Sequence, residues 1–438
     1  MSTIRDYVMY HSLFCHHDHH ISYAQFDAGR DTYSYESLLN FYTTADLVTA
    51  EGPRPPTGPL NRERIAKLWS KVRATGYGRA VTLGCRELFG LEYAPENFDA
   101  ITEALQNTIA GKSAAEVYHY FVRERAQNVW TIHDYIDDEI DYLPKSSALN
   151  PHLYPDTYRF SLRLDYLLGI VDAAPVEALE RFTGRSINTL EQLVERTNEV
   201  IDRFQATGKL ASIKVAVAYV RDLCFGDPTY HEAELAFNRI RSRKLPWGSV
   251  RQDKGAVDAA AGRALGDFMF HCIIQRAHDD DLPVQIHTGY LEGNWRPLAG
   301  TQAIHLLPIF DKYRRVRFDV FHASWPWTAE MGAIAKNYPN VWANLCWAWA
   351  MNPGEAARTL SAWLDCIPFN KIFAYGADNW LPWGNVGYSL QAKLGIARVL
   401  EEKIAEGDLS EGTAREVASA IMLDNGEEFY SLGPQRLS

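Results

Sequence analysis

The chain of 438 residues lacks the features by which nucleic-acid-binding, membrane and secreted proteins are recognised. It has no run of five Lys or Arg and a net charge of −11, which disfavours a nucleic acid or an anionic membrane as a partner. No apolar stretch approaches the roughly 20 residues that span a bilayer. The first residues lack the basic start and apolar core of a signal peptide, and the six cysteines show no paired spacing. We therefore expect a cytoplasmic protein with reduced thiols that acts on a small molecule, with homo-oligomerisation left open.

Histidine is concentrated in one place, the segment His16-His17-Asp18-His19-His20 that follows the apolar run 13–15. If this run is a β-strand, alternate side chains share a face. His17 and His19 then point the same way, while Asp18 points opposite with His16 and His20. This spacing predicts two ligands of one metal ion, whose other ligands must come from elsewhere in the chain.

Eight short β-type segments alternate with helical patterns along the chain. After the first, they are 129–133, 158–164, 212–219, 283–287, 317–322, 340–345 and 371–376. Such alternation implies a parallel sheet, and eight units favour a closed (β/α)8 TIM barrel. A Rossmann fold is disfavoured because no glycine-rich phosphate fingerprint follows the first strand.

Residues 60–126 carry helical patterning without a convincing strand, and this block is too long for a plain connection between a strand and a helix. We interpret it as a helical insertion after strand one, within a single α/β domain that spans residues 1–438. Two placements remain open for the insertion, over the mouth of the barrel or against another subunit.

Functional side chains of such barrels sit at the carboxyl ends of the strands. The fifth predicted strand ends at His287, the sixth ends at His322, and Asp378 follows the eighth. Together with His17 and His19 they form a set of nitrogen and carboxylate donors that suits Zn²⁺, Fe²⁺ or Mn²⁺ better than Mg²⁺ or Ca²⁺. The sequence therefore predicts a centre of one or two divalent transition-metal ions, with zinc as the first candidate.

This arrangement resembles the signature of the amidohydrolase superfamily, an HxH pair after strand one, histidines after strands five and six, and an aspartate after strand eight. Segments 213–221, 285–290 and 322–327 resemble the branch of nodulin-like and glutamine-synthetase-associated amidohydrolases. Segment 68–79 is similar both to that branch and to uronate isomerases. The resemblance implies a metal-dependent enzyme on a TIM barrel, although one fold hosts many reactions.

The resemblance also implies roles for single residues. His17, His19 and Asp378 would bind metal, and His287 and His322 would bind metal or polarise the substrate. A divalent ion lowers the pKa of water from 15.7 to about 7, and in hydrolytic relatives the aspartate takes the proton that is released. Asp378, His287 and His322 are therefore the predicted catalytic residues.

The fourth strand offers candidates for substrate binding in Lys214, Tyr219 and Arg221. Lys214, inside the predicted strand 212–219, could be carboxylated and bridge two metals as in dinuclear relatives, hold substrate, or form a structural ion pair. Arg221 would suit a substrate carboxylate, or it forms an ordinary salt bridge. His133, at the end of strand two, is either an additional metal ligand or contacts the substrate or the metal-binding side chains.

Tryptophan clusters late in the chain, in or just after strands six to eight. Seven tryptophans lie in this region, and although some of these indoles must be core residues, seven are more than packing needs. Trp325, Trp347 and Trp380 are predicted to contact substrate. Aromatic walls suit a bulky apolar or ring-shaped substrate better than a small sugar acid.

Three enzymatic functions fit these residues. The first is metal-dependent hydrolysis of an amide, ester or lactone. The second is oxygenation by a dinuclear iron or iron–manganese centre, which the surplus histidines favour. The third is a decarboxylase of aromatic acids or a uronate isomerase-like reaction. A binding protein without catalysis is disfavoured because every expected ligand position is filled.

Metal analysis of protein purified without chelator separates these functions. We expect one zinc per chain, measured by inductively coupled plasma mass spectrometry, because hydrolysis needs a single Lewis acid. Two irons per chain with a visible absorption that responds to O₂ would contradict the hydrolase prediction.

Overall fold

The structure is a computed structural model that describes residues 3–54, 58–134, 150–242 and 259–434. Its centre is a parallel eight-stranded sheet in which each strand pairs with the next one in chain order. The strands are β1 (Leu13–Asp18), β2 (Asn128–Asp134), β3 (Tyr158–Arg163), β4 (Leu210–Val215), β5 (Val284–Ile286), β6 (Phe318–Val320), β7 (Val341–Asn344) and β8 (Ile372–Phe373). Backbone hydrogen bonds from Asp378 N to His17 O (2.9 Å) and from His16 N to Tyr375 O (3.1 Å) join β1 to the segment after β8. The predicted (β/α)8 barrel is confirmed.

Helices surround the barrel and cover the outer faces of its strands. Helix α1 (Ile4–Tyr10) precedes β1, and the helices that follow β3 are α8 (Asp165–Leu168), α9 (Ala174–Thr183), α10 (Leu190–Gln205), α11 (Tyr230–Arg241), α12 (Ala259–Asp279), α13 (Leu307–Lys312), α14 (Thr328–Asn337), α15 (Ala348–Met351), α16 (Pro353–Cys366), α17 (Gly384–Ala405), α18 (Glu411–Ser419) and α19 (Asn425–Phe429). Helix α10 is typical, since Leu193, Val200 and Phe204 lie on one buried face at helical spacing. Within the described residues, no helix is both long and apolar enough to cross a bilayer.

The helical insertion lies between β1 and β2 and has its own apolar core. It contains α2 (Tyr23–Gly29), α3 (Phe41–Glu51), α4 (Arg62–Val72), α5 (Gly76–Phe89), α6 (Phe98–Ile109), α7 (Ala114–Tyr118) and a π-helical segment His119–Arg125. Trp69, Tyr93 and Phe98 are buried in this core, together with Trp383 from the end of the loop that leads into α17. The insertion after strand one is therefore confirmed, and it packs directly on the barrel.

Helices α5 and α17 connect the insertion to the barrel through two facing glycines. A Cβ on Gly387 would lie 2.0 Å from the backbone oxygen of Ala80, and a Cβ on Gly84 would lie 3.1 Å from Gly387 N. Only glycine permits this backbone approach, because any side chain would overlap main-chain atoms that cannot rotate away. The insertion is thereby held closely against the barrel.

The amino-terminal end of the barrel is filled by side chains, including one from the end of the chain. Tyr430 donates a hydrogen bond to Asp319 Oδ2 (2.6 Å) and accepts one from Gln285 Nε2 (2.7 Å). His16 also lies here, stacked on Phe373 with ring centroids 4.1 Å apart. A small molecule therefore has to approach the barrel interior from the opposite, carboxyl end, as in other TIM barrels.

Strand β4 is shorter than the sequence predicts. It ends at Val215, and Val217–Tyr219 form a 3₁₀ turn instead of continuing the strand. The Asp165 carboxylate terminates the strand, because both of its oxygens accept from the backbone N–H of Ala216 at 3.0 Å. Lys214 is consequently the penultimate residue of β4, close to the carboxyl end of the barrel, and the predicted strand 212–219 ended too late.

The close contact between α5 and α17 predicts that a side chain at Gly387 lowers the stability of the fold. The substitution G387A should lower the free energy of unfolding by at least about 2 kcal/mol, because the new methyl group overlaps backbone atoms. The measurement is urea denaturation followed by circular dichroism. The control is G412A on α18, where Gly412 is exposed and its nearest neighbour is 3.8 Å away. That variant should be unchanged or more stable by up to about 1 kcal/mol, and equal losses in both variants would contradict the packing argument.

Candidate metal centre

Side chains from four strand ends meet at the carboxyl end of the barrel. His19 Nε2 lies 3.2 Å from Asp378 Oδ1, and His17 Nε2 lies 3.7 Å from the same oxygen. His322 Nε2 lies 3.9 Å from Asp378 Oδ2 and 3.0 Å from His287 Nδ1. All five side chains are buried or nearly so. The fold thus brings these five predicted site residues together from distant parts of the chain.

Backbone carbonyls fix the protonation of three of these histidines. His19 Nδ1 donates to Asp134 O (2.9 Å), His287 Nε2 donates to Tyr290 O (2.9 Å), and His322 Nδ1 donates to Cys346 O (3.1 Å). A carbonyl oxygen only accepts, so the ring nitrogen that faces it carries the proton. The other nitrogen of each ring faces the group, where it can offer a lone pair to a cation. This is the outer-sphere pattern found around metal-binding histidines.

His287 and His322 show most directly that the group suits a cation. Burial lowers the pKa of His322 to about 4 and lowers the pKa of His287 well below its ordinary value, so both rings are neutral near pH 7. The single proton on each ring is donated in a hydrogen bond to the backbone carbonyl. His287 Nδ1 and His322 Nε2 are then two lone pairs that face each other at 3.0 Å. A metal ion between such nitrogens removes their repulsion.

The distances within the group also fit one coordination sphere. Zinc binds nitrogen and oxygen at about 2.0–2.2 Å, so two ligands of one ion lie at most about 4.2 Å apart. The separations of 3.2, 3.7 and 3.9 Å to Asp378 and 3.0 Å between His287 and His322 are all below this limit. Two sets of three residues have ligand atoms within 4.8 Å of one another, His17–His19–Asp134 and His322–Cys346–Asp378. The residues present therefore fit a divalent transition metal.

Asp378 is held as a carboxylate in a fixed orientation. Burial alone would raise the pKa of Asp378, but the hydrogen bonds from His19 and from the Tyr42 hydroxyl lower it well below its usual range. Tyr42, from α3 of the insertion, donates to Asp378 Oδ1 (2.7 Å). Oδ2 remains on the side of His322, where it is available to a reacting group.

Lys214 lies beneath the group as a buried amine. Its Nζ has no hydrogen-bond partner among the described residues and lies 3.9 Å from the centre of the Phe321 ring, which also contacts His17. Burial lowers the pKa of Lys214 to about 8, against the attraction of Asp134. An amine in this state matches the predictions of a carboxylated or substrate-holding lysine better than that of a structural ion pair.

Aromatic rings form the wall around the histidines. The Trp347 ring contacts His322 at 5.2 Å and Tyr42 at 4.5 Å between centroids, and the Tyr219 ring contacts His287 at 4.9 Å. Tyr290 links Trp347 (5.7 Å) to Trp325 (5.4 Å) further out. Of the predicted substrate contacts, Trp347 and Tyr219 thus lie beside the ligands, and Trp325 lies one ring further away.

Other predicted site residues lie elsewhere. Trp380 packs on Phe41 at the start of α3, and no contact with the histidines is seen. Arg221 pairs with Asp267 of α12 at 2.6 Å and is bound to the Cys224 carbonyl, which matches the salt bridge and does not support a role in substrate binding.

The surplus histidines have structural partners. His20 accepts from the Tyr158 hydroxyl (2.5 Å) and donates to Asn385 Oδ1 (3.2 Å), so both of its ring nitrogens are used. His133 Nε2 donates to His20 O (2.7 Å), and its ring packs against Tyr154 and Tyr158. His16 lies at the other end of the barrel, as described above. The structure therefore does not place His133 among the metal ligands.

Three functional candidates were missed by the sequence analysis, namely Asp134, Arg163 and Tyr42. Asp134 lies beside His17, and Arg163 binds both of its carboxylate oxygens. The signal for Asp134 was its place next to His133 at a strand end, but a one-residue choice of register decides which of two neighbours faces inward. Tyr42 has no sequence signal, since it reaches Asp378 from a helix of the insertion.

Comparisons with known proteins agree with this geometry. The sequence profile of the family described as Amidohydrolase matches residues 230–432, which include His287, His322 and Asp378. Over these residues the chain is similar to that family. The chain is also 27% identical over 208 residues to Protein fluG of Emericella nidulans, a match that covers 47% of the chain and 22% of the fungal protein. The chain thus corresponds to about a fifth of the length of that relative.

Several solved structures share the whole fold of this chain. They include the uronate isomerase of Thermotoga maritima (TM-score 0.74, 13% identity, covering 98% of this chain and 96% of that one) and the glucuronate isomerase of Caulobacter crescentus (0.73, 14%, 99% and 94%). A protein of Lactobacillus casei described as a metal-dependent hydrolase is also similar (0.67, 14%, 98% and 98%). At such low identity these matches establish the fold but no particular reaction.

Two adjacent histidines allow a matched test of the site. H19A should weaken metal binding by at least about 10-fold, because it removes the ring nitrogen Nε2 that faces Asp378. H20A should keep its metal but lose about 2–4 kcal/mol of unfolding free energy, because the partners of both ring nitrogens stay buried. Metal per chain after dialysis and urea denaturation measure the two effects. Loss of metal in H20A with an intact fold would contradict this division.

Proposed function

We propose that this protein uses a divalent transition metal, zinc in the first place, to hydrolyse an amide, ester or lactone bond in a bulky, partly apolar or aromatic substrate. The observation that carries the proposal is the convergence of histidine nitrogens and the Asp378 carboxylate inside a wall of aromatic rings. His17, His19 and Asp378 would hold the ion, and His287 and His322 would complete its coordination or contact the substrate oxygen. A bound ion supplies a Lewis acid that polarises the substrate carbonyl and lowers the pKa of water.

Asp378 is the group that would move the proton. Tyr42 and His19 hold Oδ1, so the carboxylate does not rotate. Oδ2 can then accept the proton of the attacking water and pass it to the leaving group. Because its neighbours stabilise the ionised form, Asp378 stays a carboxylate throughout the neutral pH range and needs no prior deprotonation.

The protein around the group would position the substrate and limit water. Trp347 and Tyr219 pack directly on His322 and His287, so a substrate bound to the ion lies against aromatic faces. Such faces favour a flat or apolar substrate. Lys214 beneath the group adds positive charge where negative charge develops on the substrate oxygen in the transition state.

A second candidate is isomerisation of a uronate, which the likeness to uronate isomerases over nearly the whole chain favours. The same ligands would serve, with Asp378 moving a proton between neighbouring carbons instead of taking it from water. The Trp347 and Tyr219 rings lie directly against His322 and His287. Aromatic faces suit an apolar or flat substrate better than a polyhydroxylated sugar acid, so hydrolysis is the better-supported proposal.

The proposal is tested with a panel of aryl esters, lactones and N-acyl compounds in H₂¹⁸O, together with glucuronate and galacturonate. Hydrolysis places one ¹⁸O in the acid product, as detected by mass spectrometry. Isomerisation of a uronate without ester, lactone or amide turnover would contradict the proposal and favour the second candidate.

Two variants test the roles of single residues with the best substrate of that panel. D378N and H287A should each lower kcat by at least about 100-fold, because they remove the proton acceptor and a polarising ligand. The matched control is H231A, which changes an exposed histidine of α11 and should leave kcat unchanged. Circular dichroism checks that the fold is kept. Unchanged turnover in D378N or in H287A would remove that residue from the mechanism.

A further inference from the structure

We propose that Asp134, at the carboxyl end of β2, is a ligand of the same ion that His17 and His19 hold. The inference rests on the proposed function in one respect, that this end of the barrel binds a metal at all. It adds a fourth protein ligand that the HxH pair and Asp378 do not predict. The sequence analysis considered His133 at this strand end, and the structure presents its neighbour instead.

The first argument is the position of the carboxylate. Asp134 Oδ2 lies 3.9 Å from His17 Nε2, which in turn lies 3.7 Å from Asp378 Oδ1. These distances are too long for hydrogen bonds, which need about 2.7–3.2 Å. They are right for atoms that share an ion, whose ligands lie up to about 4.2 Å apart. His17 Nε2 thus lies between two carboxylates without bonding to either.

The second argument is that Asp134 contacts both histidines of the pair. Its side chain faces His17, while its backbone oxygen accepts the Nδ1 proton of His19 (2.9 Å) and so turns His19 Nε2 towards the group. One ligand atom each of His17, His19 and Asp134 lies within 4.8 Å of the other two. The end of β2 therefore orients one ligand of the ion and supplies another.

The ion pair with Arg163 is compatible with this role. Arg163 donates through Nε to Asp134 Oδ1 (3.3 Å) and through Nη2 to Oδ2. Each carboxylate oxygen has two lone pairs, so Oδ2 can bind Arg163 with one and the ion with the other. The bidentate pair holds the carboxylate plane still.

The alternative role of Asp134 is only to neutralise Arg163, and the two roles make different predictions. Cobalt(II) is the probe, because its visible absorption reports the number and type of its ligands. We expect D134N to bind cobalt at least about 100-fold more weakly than the unmodified protein, in a competition with a chelator, and to change the visible spectrum. R163M keeps the carboxylate, so it should bind cobalt within about 3-fold of the unmodified protein with the same spectrum.

A further variant separates this effect from misfolding. D134N alone leaves a buried arginine without its carboxylate, so the double variant D134N/R163M removes the whole pair. It should keep the circular dichroism of the fold and show the weak cobalt binding of D134N. D165N is the matched carboxylate control, since Asp165 also faces Arg163, at 3.8 Å, but binds the backbone of Ala216. It should keep cobalt affinity within about 3-fold.

The outcomes separate failure of this inference from failure of the proposed function. Unchanged cobalt affinity and spectrum in the folded double variant would overturn the role of Asp134 while leaving the metal centre in place. Equal losses in D134N, R163M and D165N would also overturn it, because the effect would then be one of general charge. No cobalt binding by the unmodified protein would overturn both.

Discussion

His19, His287 and His322 each give one ring proton to a backbone carbonyl, and this interaction decides what the rest of the site can do. A neutral imidazole has one proton and one lone pair, so a carbonyl on one side leaves a ligand on the other. The three carbonyls belong to Asp134, Tyr290 and Cys346, which follow or end three different strands. Ligand orientation is therefore a property of the main chain of the barrel, and side-chain substitutions nearby can leave it intact.

The main chain itself is unusual where it carries these groups. His322, Ala323 and Ser324 have φ values of 64°, 54° and 49°, and Asp378 has a φ of 58°. Non-glycine residues in this left-handed region cost free energy and persist only when the surrounding structure holds them. At His322 the hydrogen bonds of the following turn, and at Asp378 the bond from its N–H to His17 O, supply that hold. Backbone strain at these positions is what aims both side chains inward.

The barrel and most of the ligands could be predicted from the sequence because they depend on local pattern. Strand ends are marked by where apolar runs stop, and the fold brings all strand ends together, so His17, His19, His287, His322 and Asp378 follow from pattern alone. The end of β4 was misplaced because the strand ends where Asp165 binds the Ala216 N–H, which is a contact between distant segments. Asp134 was passed over for His133 since the two differ by a single step in register. The salt bridge of Arg221 could not be predicted, because its partner Asp267 lies on a helix 46 positions further along the chain.

The hydroxyl of Tyr42 on Asp378 ties the chemistry to a part of the chain that the barrel does not need in order to close. A barrel without this helix would still carry all the histidines, yet Asp378 would lose the hydroxyl that helps His19 to hold its Oδ1. Helix α3 also receives Asn294, from the loop after β5, through the Thr49 hydroxyl and the Ala45 carbonyl. The insertion thus touches both the Asp378 carboxylate and the rim of the mouth. A change in the insertion would therefore alter the rim and the setting of this carboxylate together, while the histidines at the strand ends stay constant.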